Sequence, residues 1–168
     1  DLVAARAYSG GKHPISHTPF GELFACIFFG LLAVIGCYWL QASRISPAAL
    51  FTGAIIGFPA AAVLLVNNLR DVASDLRAGR RTLAAFLGER GARRAYALLM
   101  LLPYAGIPLL AFMVSQGAWL ALVALPFCVL LIRRVLQGVS GTALNAVLAG
   151  TAQCAFGFAV LLSLGFRL

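Results

Sequence analysis

Five stretches of the chain, at about residues 23–42, 47–69, 95–114, 117–136 and 143–166, run for roughly 20 residues each and are almost free of charge. A helix rises about 1.5 Å per residue, so each stretch matches the ~30 Å hydrocarbon core of a bilayer. Inside that core the backbone must satisfy its own hydrogen bonds, and apolar runs of this length do so as helices. The expected fold class is therefore all-α: a polytopic transmembrane helical bundle with five spans, in one domain over residues 1–168. Hydrophobic residues make up 62% of the chain, well above the roughly 45–50% of soluble domains. Pro47 falls near the start of the second span, where its missing N–H costs little. Pro59, Pro103, Pro108 and Pro126 fall inside spans, where kinks are expected.

Alternate threading places residues 1–22, 70–94 and 133–142 on one side of the membrane. Of the 13 Lys and Arg, all but Arg44 and Arg167 lie on that side. This asymmetry makes it the cytoplasmic side of a cytoplasmic (inner) membrane, with a polar loop at 70–94. The formal charge of +8 thus reads as a basic membrane face. It does not read as a nucleic-acid surface, because the bases do not interleave with aromatics on a polar stretch. All 5 acidic residues lie on the same side, which puts the chemistry there. Cys26, Cys37, Cys128 and Cys154 stand singly in apolar runs and read as packing residues. His13 and His17 flank Pro14 among Gly and Ser, and read as a loop without metal. The opening Asp-Leu-Val-Ala-Ala-Arg-Ala-Tyr reads as the tail of a preceding helix, so a site shared between two halves is expected to be only half present.

The stretch that carries chemistry starts where the second span ends: Val66-Asn67-Asn68-Leu69-Arg70-Asp71-Val72-Ala73-Ser74-Asp75-Leu76-Arg77-Ala78-Gly79-Arg80-Arg81. If the helix continues through it, Asn67, Asp71 and Asp75 share one stripe at i, i+4 and i+8, with Asn68 beside them. Two carboxylates a turn apart repel unless a cation or bases lie between them. Mg2+ suits such a site, because it takes oxygen ligands from one or two carboxylates together with substrate phosphates. Arg70, Arg77, Arg80 and Arg81 supply the charge and the fork geometry that a diphosphate calls for. The competing reading is a solvated helix end whose Asp71 and Asp75 pair with neighbouring arginines. Two adjacent amides at the end of an apolar span favour a polar cavity.

This stretch resembles the second aspartate-rich motif of the UbiA superfamily of intramembrane prenyltransferases, most closely the branch that prenylates 1,4-dihydroxy-2-naphthoate. The family pattern is approximately N-N-x-R-D-x-x-x-D-R-x-x-G-K-x-T-L-x-x-R-L-G. Asn67, Asn68, Arg70, Asp71, Asp75, Gly79, Thr82, Leu83, Leu87 and Gly88 match it, and Arg80 stands for the Lys. Tyr8, Gly10 and Gly11 match a Tyr-x-Gly-Gly element, Gly21-Glu22 and Phe28-Phe29-Gly30 match elements that follow it, and Ala92-Arg93-Arg94 is similar as well. Leu76 and Phe86 stand where the pattern has Arg, with Arg77 one place after the first.

The resemblance implies a nine-helix enzyme of which this chain corresponds to helices five to nine. It also implies a first motif of the N-D-x-x-D type in an N-terminal half that this chain lacks, so that the chain alone is incomplete. Asp71 and Asp75 are then the catalytic, Mg2+-holding pair, and Asn67, Asn68, Arg70, Arg77, Arg80 and Arg81 the diphosphate-binding set. Tyr8, Lys12 and Glu22 become candidates for binding or deprotonating the aromatic acceptor. The partners implied are a polyprenyl diphosphate, dihydroxynaphthoate and the lipid bilayer, and the product is demethylmenaquinone, in menaquinone biosynthesis. Two alternatives stand beside this: a UbiA-type enzyme with a 4-hydroxybenzoate, haem or chlorophyll-type acceptor, and a non-catalytic helical membrane module.

Overall fold

The computed structural model describes residues 18–168, in which all regular structure is helical. Five helices are long and apolar enough to cross a membrane: α1 Gly21–Ala42, α2 Pro47–Arg77, α3 Leu83–Met113, α4 Gln116–Leu136 and α5 Gly141–Gly165. The chain is thus a multi-pass membrane protein. Helix α2 starts where a sequence reading puts it. Ser46 accepts a hydrogen bond from the Ala49 N–H at 3.1 Å, and Pro47 opens the first turn, where its missing N–H costs nothing.

The stretch 70–94, expected as a loop, is instead mostly helix. Helix α2 keeps going to Arg77, a turn occupies only 78–82, and α3 has begun by Leu83, well before the expected start of the third span. Hydropathy registers only the part of a helix that lies in lipid. The Ala, Leu, Arg and Glu residues of the polar stretch are good helix formers and carry the hydrogen-bond ladder on into water. Gly79, at φ +74, lies in the turn just after α2 ends at Arg77. Within α3, Gly88 breaks the helical backbone at φ 68, ψ 170, setting the first turns at an angle to the remainder.

The prolines act in two ways. Pro59 and Pro103 are accommodated within helix, whereas Pro108 and Pro126 sit in the first turn of newly started α-helical segments. Before Pro126, α4 opens as the tighter 3-10 form over Gln116–Ala124. Helix α1 contains a π-helical stretch, Ile27–Leu32.

Helix α2 is the axis of the bundle. It packs against α1, α3 and α5, while α4 lies on α3 and α5. Over its most apolar window 56% of α2 is buried, against 11% for α1. The α1–α2 seam is made by small residues: a Cβ on Gly30 would run into the backbone of Gly53 and Gly57, so the two main chains touch directly. Two apolar cores stack along the bundle axis. One gathers Leu65, Val66, Leu69, Tyr96, Leu131, Val135, Leu144 and Val147 under the Arg-rich end, and the other Ile55, Ile107, Leu110, Phe158 and Leu162. Cys128 and Cys154 are buried in the first of these, while Cys26 is partly and Cys37 largely exposed. Phe29 and Trp39 are exposed on the outside of the described bundle.

Candidate functional site

Helix α2 has 31 residues and is therefore about 46 Å long, well beyond the ~30 Å of a hydrocarbon core. Its last turns project past the lipid at the Arg-rich end, and these turns carry Asn67 to Asp75.

There the side chains form a network centred on Arg70. Its Nε and Nη2 donate to the two oxygens of Asp71 at 2.8 and 2.6 Å, Nη2 also donates to Asn67 Oδ1 at 2.9 Å, and Nη1 donates to Asn145 Oδ1 on α5 at 2.8 Å. Four of the five guanidinium N–H groups are thereby committed to protein acceptors. Arg70 thus ties Asp71 and Asn67 to one guanidinium and joins them to Asn145 on α5. Asn145 was missed by sequence reasoning. The signal was present, since it too is an amide at the mouth of an apolar span.

One turn further, Asp75 is buried and lies 3.6 Å from Arg80 Nη1, while the Arg80 backbone N–H donates to the Asp75 carbonyl at 2.8 Å. Asp71 and Asp75 therefore share the stripe expected of them, and each has an arginine partner. Arg77 and Arg81, by contrast, are exposed and make no ion pair among the described residues. Glu22, in the first turn of α1, accepts a hydrogen bond from Asn68 Nδ2 at 2.9 Å. Its other oxygen, Oε2, is buried and has no hydrogen-bond partner among the described residues. Tyr8 and Lys12 lie outside the described residues.

A third charged group ties down the neighbouring helices. Arg93 is buried, pairs with Glu89 at 2.5 Å and donates to the Val135 carbonyl in the last turn of α4, where a cation also meets the negative end of the helix dipole.

Among the described residues no three His, Cys, Asp or Glu side chains gather into a group that could hold a metal alone. The donor set on α2 nevertheless fits Mg2+. It is made of oxygens only, and Asp71 keeps further lone pairs after binding Arg70 in bidentate fashion. Two carboxylates with a phosphate ligand match the way magnesium is usually held.

A family model described as the UbiA prenyltransferase family matches residues 2–146. The chain is 35% identical to the 1,4-dihydroxy-2-naphthoate octaprenyltransferase of Escherichia coli (strain K12), over 99% of this chain and 55% of that protein. The Bacillus subtilis (strain 168) protein of the same name is 32% identical, over 94% of this chain and 51% of its own length. The 2-carboxy-1,4-naphthoquinone phytyltransferase of Synechocystis is 29% identical over 77% of the chain and 43% of the relative. The chain spans about half the length of the curated relatives it matches. No solved structure gives a significant match.

Proposed function

Since this chain belongs to the UbiA prenyltransferase family, we propose that it forms part of an enzyme transferring a polyprenyl group from a polyprenyl diphosphate to 1,4-dihydroxy-2-naphthoate. The product would be demethylmenaquinone, in menaquinone biosynthesis. The observation that carries this reading is the oxygen-lined stripe of Asn67, Asp71 and Asp75, projecting from a membrane-crossing helix beside Arg77 and Arg81, which make no ion pair among the described residues. The names printed for the Escherichia coli and Bacillus subtilis relatives support the choice of acceptor.

In this reading the prenyl tail lies among apolar helices and the diphosphate sits at the rim, facing the cytoplasm of a bacterial inner membrane. Asp71 and Asp75 hold Mg2+, and the chemistry that this ion supplies when bound is stabilisation of the charge growing on the departing diphosphate. Arg77, Arg80 and Arg81 act in the same sense from the protein, because guanidinium groups aimed at a leaving group lower the barrier to breaking the allylic C–O bond. Arg70 acts through Asp71 and Asn67, holding both in register. The apolar walls keep water from the allylic carbon, which is left to an electron-rich ring carbon of the acceptor. A second carboxylate cluster would come from the part of the relatives that this chain does not match. Glu22, and Tyr8 and Lys12 before it, would serve the acceptor side.

The test is a competition. Membranes containing the full gene product, given a polyprenyl diphosphate with equal dihydroxynaphthoate and 4-hydroxybenzoate, should prenylate the naphthoate in a magnesium-dependent reaction. Preferential prenylation of the benzoate would overturn the acceptor assignment, and turnover of neither would overturn the enzyme reading.

A further inference from the structure

We propose that Glu22 couples the two substrate sites: one carboxylate oxygen steadies Asn68 of the diphosphate motif while the other accepts a hydrogen bond from a ring hydroxyl of the aromatic acceptor. This rests on the prenyl-transfer reading above and assigns to one residue a positioning role and a binding role.

Glu22 is 3% exposed, and its contact with Asn68 crosses 46 positions of sequence and joins α1 to α2. Oε1 accepts from Asn68 Nδ2 at 2.9 Å, whereas Oε2 is buried with no hydrogen-bond partner among the described residues. A buried carboxylate oxygen without a donor is destabilising, and native proteins keep such orphans rarely. Where one adjoins a substrate motif, the missing donor is most simply part of the substrate. The identity of that donor follows from elimination. A diphosphate offers acceptors and negative charge, which a carboxylate repels. A prenyl tail offers no polar hydrogen. Of the reacting molecules, the aromatic diol alone brings O–H donors.

Asn68 neighbours Asn67, which shares Arg70 with Asp71. A hydroxyl seated on Oε2 shares one carboxyl group with the Asn68 amide nitrogen, and that group is the link proposed between the two sites. The coupling is reciprocal: filling one site firms the other.

Two variants of the full gene product separate the parts. In Glu22→Gln the amide oxygen still accepts from Asn68, but an NH2 group replaces Oε2 and faces the acceptor hydroxyl with a donor. In steady-state assays with dihydroxynaphthoate and geranylgeranyl diphosphate, this variant should raise the acceptor KM by about tenfold or more, the loss of one buried hydrogen bond. Its diphosphate KM should stay within about twofold. Glu22→Ala loses both contacts and should raise both KM values. Wild-type protein that turns over no naphthoate sinks the prenyl-transfer reading itself. An active wild type whose Glu22→Gln variant keeps its acceptor KM overturns only the inference. Reduced membrane abundance or melting temperature of Glu22→Gln without a selective change in acceptor KM would assign Oε2 to another protein segment, and also overturns it.

Discussion

Two polar clusters join helices in this bundle, and they are finished differently. Inside the apolar core, the Tyr96 hydroxyl and Thr151 Oγ1 lie 2.7 Å apart, and Thr151 Oγ1 donates in turn to the Val147 carbonyl at 2.7 Å. Every member is neutral and buried, and the chain of bonds ends on the backbone. At the rim of α2 the groups are Asn67, Asn68, Arg70, Asp71, Asp75 and Glu22, most of them charged and several half-exposed. One buried oxygen lacks a partner among the described residues, and Asp71 has lone pairs left over. A closed neutral network holds helices together. An open charged one, kept at the edge of lipid where charge is expensive, has valence left for a ligand.

The largest effect expected from this contrast is at the carboxylates. Asp71→Ala or Asp75→Ala in the full gene product should lower magnesium-dependent prenyl transfer by roughly a thousandfold, about 4 kcal/mol of transition-state stabilisation. Protein abundance in membranes should hold. Activity surviving both changes would reduce the rim to a solvated helix end. Next comes Arg70→Lys, which keeps the charge but cannot span Asp71, Asn67 and Asn145 at once. Turnover should fall about thirtyfold, since a lysine point charge does not replace a guanidinium fork. Full activity in this variant would mean that the network is incidental to the site. Asn145→Ala removes a single bond to the same guanidinium and should cost about 1 kcal/mol, or about fivefold in turnover. The smallest effect belongs to the interior: Tyr96→Phe should lower stability in detergent by about 0.6 kcal/mol, the average worth of an interhelical bond in a membrane protein. Its turnover should match the wild type. A catalytic defect there would erase the distinction between the clusters.

How far each cluster could be seen in the sequence follows from chain separation. The stripe of Asn67, Asp71 and Asp75 is periodic, so the 3.6-residue turn exposes it once α2 is allowed to continue, and Gly79 marks the stop. The five spans are visible because apolar length is local. Arg70 with Asn145 is separated by 75 positions and Glu22 with Asn68 by 46, and no local pattern encodes such pairs. Charge alone also does not reveal that Arg70 is bonded to three protein side chains, since a guanidinium with such partners looks in sequence like one without them. The polar stretch between α2 and α3 was hidden for a different reason. Hydropathy falls there, but helix propensity does not, and only the turn at 78–82 and the positive φ at Gly88 interrupt the ladder.

The long reach of α2 past the lipid makes it a lever. Pro59 leaves the helix one hydrogen bond short, and Asp75 lies about 24 Å farther along at helical rise. A tilt of the outer arm by one degree about that point swings the carboxylate by about 0.4 Å, close to the ~0.5 Å tolerance of a catalytic group. Helix tilt answers to bilayer thickness. Reconstitution in lipids of graded acyl length should therefore move the turnover number itself, with an optimum where the span is unstrained.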